Sequence, residues 1–230
     1  MNKAMWDKWA PFSGIVFVAL LVATFFSPAK SPPNAGDSPD KWLSFFQDHR
    51  TALLVSAYLS GLAVVFFLFF LGSLVTRLRA TGEQRLAAVT LGGGIVLAGV
   101  GLMGCAIQAS LAWTIGHDAT GAISAGDVKM LNLVPMFAFA FPLAAFAGAA
   151  SIAAWRSNFW PSWFSQLGLV AALWFIVAGA ALSMHGFFSP HGAFGFIAFL
   201  AFLVWMLLAS AFMLAKPSKE EVPAAAHAAM

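Results

Sequence analysis

Long uncharged apolar stretches, broken by short polar clusters, set the pattern of this chain. Six of them, 11–27, 52–76, 86–114, 130–155, 162–183 and 192–215, hold 143 residues without one Asp, Glu, Lys or Arg. A helix crossing the hydrocarbon core needs about 20 mostly apolar residues, because in lipid every backbone N–H and C=O must find its partner inside the segment. The pattern predicts an all-α integral membrane bundle of six transmembrane helices, one domain over 1–215. The tail 216–230, with Pro217, Pro223 and an Ala-rich end, carries too little apolar bulk to pack and is expected to be disordered.

The polar clusters add detail. Residues 28–41 are rich in Pro, Ser and Asp and read as a loop. Within it Ser38, Pro39 and Asp40 have the order of an N-cap, a first helical residue and an acidic first turn. Trp42, Phe45, Phe46, His49 and Leu53 then recur at helical spacing, predicting a short amphipathic helix on the outer surface that runs into the second span. The first span is short and ends in Ser27-Pro28-Ala29, which raises a cleavable signal peptide. Asp7 and two tryptophans ahead of it make a poor n-region, so a retained anchor is expected. The two halves of the chain differ in their loops, which speaks against an inverted repeat.

Composition agrees with lipid as the solvent. The chain is 61% hydrophobic and 9% charged, with a mean hydropathy of +0.85, where a soluble domain carries about 25% charged residues. Its net charge of +3 is not gathered on a soluble face, so no nucleic-acid partner is implied. Basic residues do give direction. With a cytoplasmic N-terminus, the inner side holds Lys3, Lys8, Arg77, Arg79, Arg85, Arg156, Lys216 and Lys219, and the outer side Lys30, Lys41, Arg50 and Lys129. That bias predicts a multi-pass protein of the plasma (inner) membrane with both termini cytoplasmic. Trp6, Trp9, Trp155, Trp160 and Trp163 are then expected at the inner interface, Trp42 and Trp113 at the outer one.

Small residues suggest how the spans associate, since helices in lipid attract one another through close packing. Gly101, Cys105 and Ala109 in the third span, Ala140, Ala144 and Gly148 in the fourth, and Gly168 and Ala172 in the fifth predict a tight centre. The Phe-rich second and sixth spans (Phe66, Phe67, Phe69, Phe70; Phe194, Phe196, Phe199, Phe202) are expected to face lipid more. Gly92, Gly93 and Gly94 read as a flexible or tightly packed turn rather than a nucleotide cradle.

Candidate chemistry is sparse. No ionisable residue lies within a span, which disfavours proton- or sodium-coupled transport. Gln108, Pro135 and Pro142 are the candidate ligand-binding residues: Gln108 is an intramembrane amide, and each proline removes a backbone donor on nearly the same helix face. A weakly polar channel or carrier around a broken fourth span is one reading. A metal or haem site is another, using His49, His117, His185 and His191 on the outer side, with Met184 as a soft ligand. The spacing matches no dedicated metal motif, and no cofactor is predicted. Cys105 has no partner for a disulfide, and no catalytic set is recognisable.

Three stretches carry a resemblance: Asp48-His49-Arg50 before an apolar span, Phe66 to Gly72 followed by Arg77 and Arg79, and Trp160-Pro161-Ser162-Trp163 before Gly168. Over 42–215 the chain resembles a bacterial family of six-span membrane proteins described as a domain of unknown function. The resemblance implies a plasma-membrane helical bundle and brings no catalytic or binding residues with it. The link Met184 to Gly192 departs from that pattern. The expected function is that of a non-catalytic membrane protein: an accessory component partnering lipid or another membrane protein, or a binder of an apolar small molecule or lipid. A redox or metal-binding protein, and a channel or carrier, are the alternatives.

Overall fold

The computed structural model describes residues 9–27, 29, 32–115, 123–180, 186–188 and 192–215, the side chains of Met136 and Phe137 excepted. Among them every regular element is helical. A 3₁₀ turn at Ala10–Phe12 leads into α1 (Ser13–Thr24), followed by α2 (Pro39–Asp48), α3 (Arg50–Ala80), α4 (Gln84–Ile115), α5 (Ala125–Arg156), α6 (Ser162–Ala178) and α7 (Ala193–Ala215). The tail 216–230 lies outside the described residues.

Four helices, α3, α4, α5 and α7, are long and apolar enough to cross a membrane. The apolar helices Ala10–Thr24 and α6 are shorter than the sequence pattern predicts. At ~1.5 Å per residue neither exceeds about 26 Å, short of a hydrocarbon core of about 30 Å. The first ends early because hydrogen bonds of the i→i+3 kind draw Phe25, Phe26 and Ser27 into turns. The other closes at Gly179, whose N–H donates to the Phe175 carbonyl at 2.9 Å.

Neighbours in sequence are neighbours in space. Helix α1 packs on α3, α3 on α4, α4 on α5, α5 on α6 and α6 on α7, and α7 returns to α1 to close a ring of six. The charged groups lie at the two ends of this ring. At the first end, Arg156 Nε meets Glu83 Oε1 at 3.2 Å, and Arg77 donates to the carbonyl of Met213 in the last turn of α7. Gly82, at φ +91°, turns the chain between α3 and α4 there, in the left-handed region open to glycine. The second end is organised by Asp37. Its carboxylate accepts from the Asn34 N–H at 2.7 Å and pairs with Lys41 at 3.2 Å, while Lys129 of α5 donates to the Asp37 carbonyl at 2.9 Å.

Helix α2 caps this second end. Ser38 sits at its N-cap position but its side chain makes no cap bond, the Asp37 turn shaping the start instead. Trp42 and Phe46 are fully buried with Leu53, Leu111, Ala112 and Val128, so the apolar face of α2 rests on α3, α4 and α5 rather than lying free. Trp42 therefore does not join an exposed belt, and its Nε1 donates to the Asn34 carbonyl at 3.3 Å. Trp160 is likewise buried, against Phe159, Phe164 and Trp205. Trp9, Trp113, Trp155 and Trp163 remain exposed, and Trp6 lies outside the described residues.

Two further expectations need correction. Gly92–Gly94 form no turn but a stretch of α4, and a Cβ on Gly93 would come within 2.8 Å of the Phe146 backbone nitrogen. At Gly93 the two helices meet backbone to side-chain position, a contact that cannot be relieved by a side chain stepping aside. The Phe-rich helices are only half outward: Phe67, Phe70 and Phe202 belong to the core, whereas Phe69 and Phe196 are exposed. The ring's outer surface is apolar over much of its height, with Val65, Leu68, Ile95, Phe141, Leu173 and Val204 all exposed.

Gly93→Ala is expected to destabilise the α4–α5 contact by about 1–3 kcal/mol, while Gly92→Ala, with open space at its Cβ, is expected to be neutral; thermal unfolding of the purified variants reads both. The Asn34 N–H and then Lys41 hold the Asp37 carboxyl below its ordinary value. A carboxylate depressed by folding supports the fold above its unfolded pKa and loses that support as pH falls through the depressed value. Protease cleavage in 32–37 is therefore expected to rise only below the ordinary aspartate range, and already at neutral pH in Asp37→Asn.

Candidate functional site

A cavity of about 1000 Å³ lies inside the ring, in the half nearer the Asp37 turn. It exists because the other half is filled by aromatic rings. Trp205 of α7 lies face to face with Phe164 at 6.1 Å and meets Phe146 and Trp160 edge-on, each at 5.7 Å. Phe67 joins this stack through Phe146 at 5.4 Å. Gly168 makes room for it, since a Cβ there would collide with Ser151 Oγ and Trp205 Nε1. Phe17, Phe67, Phe175 and Phe202 are the surface of this plug turned toward the cavity, in contact with one another at 5.4–6.4 Å.

The walls are built from small residues and branched aliphatics. Ala98, Gly101 and Gly104 of α4 face Ala140 and Leu143 of α5 and Ala198 of α7. Pro135 packs its ring where Gly104 has no side chain, 3.3 Å from the position of a Cβ. The mouth is aromatic. Phe25 contacts Phe196 and Phe199 at 5.9 and 5.7 Å, and Phe188 meets Phe194 at 5.2 Å.

Polar atoms are few and uncharged. Ser60, Gln108 and Asn132 line the space together with Thr24 and Cys105. Thr24 is satisfied within its own helix, donating to the Leu21 carbonyl at 2.6 Å. Gln108 Nε2 donates to the Leu53 carbonyl of the neighbouring helix α3 at 3.0 Å, which fixes the amide and leaves its oxygen as an acceptor. Pro135 has no N–H, so the carbonyl of Leu131, beside Asn132, lacks its intrahelical donor. Among the described lining residues there is no Asp, Glu, Lys, Arg or His.

The three residues singled out as ligand-binding candidates thus separate. Gln108 and Pro135 line the cavity. Pro142 does not; its carbonyl lies 3.2 Å from where a Gly93 Cβ would stand, in the α4–α5 contact beside the plug. The phenylalanines of floor and mouth were missed as site residues, because sequence spacing alone does not say which flank of a Phe-rich helix turns inward.

Of the four histidines considered as metal ligands, His117, His185 and His191 lie outside the described residues. His49 sits at the break between α2 and α3, its Nδ1 3.1 Å from the Phe45 carbonyl and its ring 4.9 Å from that of Phe45. It borders an open groove of about 600 Å³ with Asp48, Arg50, Thr51 and Ser56. Arg50 lies over the Trp113 ring at 5.6 Å. Among the described residues no three His, Cys, Asp or Glu side chains come together in a way that could hold a metal.

Comparison with protein-family models, with curated proteins and with solved structures returns no match. The functional reading therefore rests on the chemistry of the chain itself.

Replacing Gln108 by Leu removes one interhelical hydrogen bond, worth about 0.6 kcal/mol on average between membrane helices. The variant is expected to fold, with a thermal midpoint only slightly below that of the wild type, whereas Trp205→Ala, which hollows the plug, is expected to cost about 3–5 kcal/mol.

Proposed function

We propose that the protein is a six-span component of the bacterial plasma membrane, both termini cytoplasmic, that binds an apolar small molecule or lipid without catalysing a reaction. The observation that carries this reading is the half-open cavity of about 1000 Å³. Its volume lies at the upper end of the range for sites that engulf a small molecule. Its lining supplies aromatic and aliphatic contact with a few neutral hydrogen-bonding groups and, among the described residues, no acid or base to move a proton.

Membrane residence is supported by the four membrane-length helices and by the exposed apolar side chains around the ring. The two shorter helices cross by local thinning of the bilayer and by their flanking residues. The inner end is that of Arg77, Arg79, Arg85 and Arg156, following the basic bias of short loops. Exposed Trp9, Trp155 and Trp163 mark that interface, and Trp113 the outer one. The cavity then opens toward the outer leaflet. Binding is favoured over conduction because Phe67, Phe146 and Trp205 block the path beyond the cavity floor.

Native mass spectrometry of the protein released from its own membrane is expected to find a lipid-like molecule retained on the wild type and lost from Ala198→Trp, which fills the cavity wall. Retention by both variants places the molecule elsewhere, and its absence from both ends the binding reading. In a Cys105→Ser background, thiols introduced at Ser38 and Thr81 are expected to react with a membrane-impermeant reagent from opposite faces, Ser38 from outside. Labelling of both from one face would overturn the six-span topology.

A further inference from the structure

Resting on the cavity as a binding site, we infer that its occupant is an uncharged amphiphile: one apolar chain with a hydroxyl or carbonyl head. The placement of the polar groups carries this. Gln108 and Asn132 each stand about 10 Å from the outer end of their helix, and Ser60 about 15 Å, at ~1.5 Å of rise per residue. Below this collar Phe67, Leu97 and Leu143 line the space a further ~10–17 Å along α3, α4 and α5. The site therefore accepts a head at the collar and roughly 15 Å of chain beneath it.

The collar selects against charge. Gln108, held by its bond to Leu53, and Asn132 each offer an amide, and Ser60 a hydroxyl, groups that pair with a neutral donor or acceptor. An ionised phosphate, carboxylate or ammonium brought to the same depth would leave water without a counter-charge, since the described lining holds no Asp, Glu, Lys, Arg or His. In the first turn of α7, which reaches the mouth, the Phe194 and Phe196 N–H groups are engaged, donating to the carbonyls of Phe187 and Gly192 at 3.1 Å each. The rings of Phe25 and Phe196 at the mouth present an apolar edge and no ion partner for an anionic head.

The test compares probes of equal chain length on the wild-type protein in nanodiscs: 1-monolaurin, laurate held ionised at about pH 9, and dodecylphosphocholine, with binding followed by equilibrium dialysis. Monolaurin is expected to bind one per protein and about tenfold or more tighter than either charged probe. Gln108→Leu/Asn132→Leu is expected to lose about tenfold in monolaurin affinity while keeping the wild-type helical circular dichroism. Laurate or dodecylphosphocholine binding as tightly as monolaurin, with Ala198→Trp abolishing both, would overturn the neutral-head assignment and leave the cavity reading standing. Undiminished monolaurin binding by the double variant would overturn the collar. Binding of no probe, or binding that Ala198→Trp does not touch, would overturn the cavity reading itself.

Discussion

The packing of Trp205 against Phe164, Phe146 and Trp160 is the interaction on which the rest of the architecture depends. Six helices in a ring enclose more volume than their own side chains fill, and large flat rings occupy that volume in one half of the molecule. Gly168 gives Trp205 the depth to reach across, and Gly93 brings α4 up against the Phe146 backbone. Where these devices stop, Ala98, Gly101 and Ala140 take over on the walls and the space is left open. Plug and cavity are two outcomes of one choice, made residue by residue, between bulk and its absence.

Much of this was legible in the sequence. The apolar runs foretold the helices, because a segment without charge and rich in Phe, Leu and Ala has few other ways to satisfy its backbone, and the capping box of Ser124 and Asp127 at the start of α5 shows how sharply such a boundary can be set. The amphipathic spacing of Trp42, Phe46 and Leu53 foretold a helix, though not its seat: the same stripe suits a lipid surface and a protein groove, and the choice was made by Leu111, Ala112 and Val128, far off in the chain. Lengths were less legible, because apolar residues continue past Thr24 and Ala178 while the backbone turns.

The site was legible in part. Gln108 stood out as the one amide deep in an apolar run, and its bond to Leu53 is what such a residue needs when water is absent. Pro135 and Pro142 share a periodicity but not a role, since one faces the opening and the other the α4 backbone. Phe67 and Phe202 were invisible as site residues because a phenylalanine facing lipid and one facing a cavity look alike in sequence. Neighbours decide between them, and neighbours are a property of the fold.

The grip of Arg77 on Met213 has a mechanical meaning. Helix α7 is clasped at its C-terminal turn by a guanidinium rooted in α3, and its shaft is wedged there by Trp205. Its beginning at Ala193 stands beside the mouth, where Phe194 rests on Trp174, Phe187 and Phe188, and Phe196 on Phe25. The two ends of α7 are thus held by different chemistry, a guanidinium hydrogen bond at its close and ring contacts alone at its start, so the rim beside Phe25 and Phe196 resists separation only as strongly as aromatic packing does.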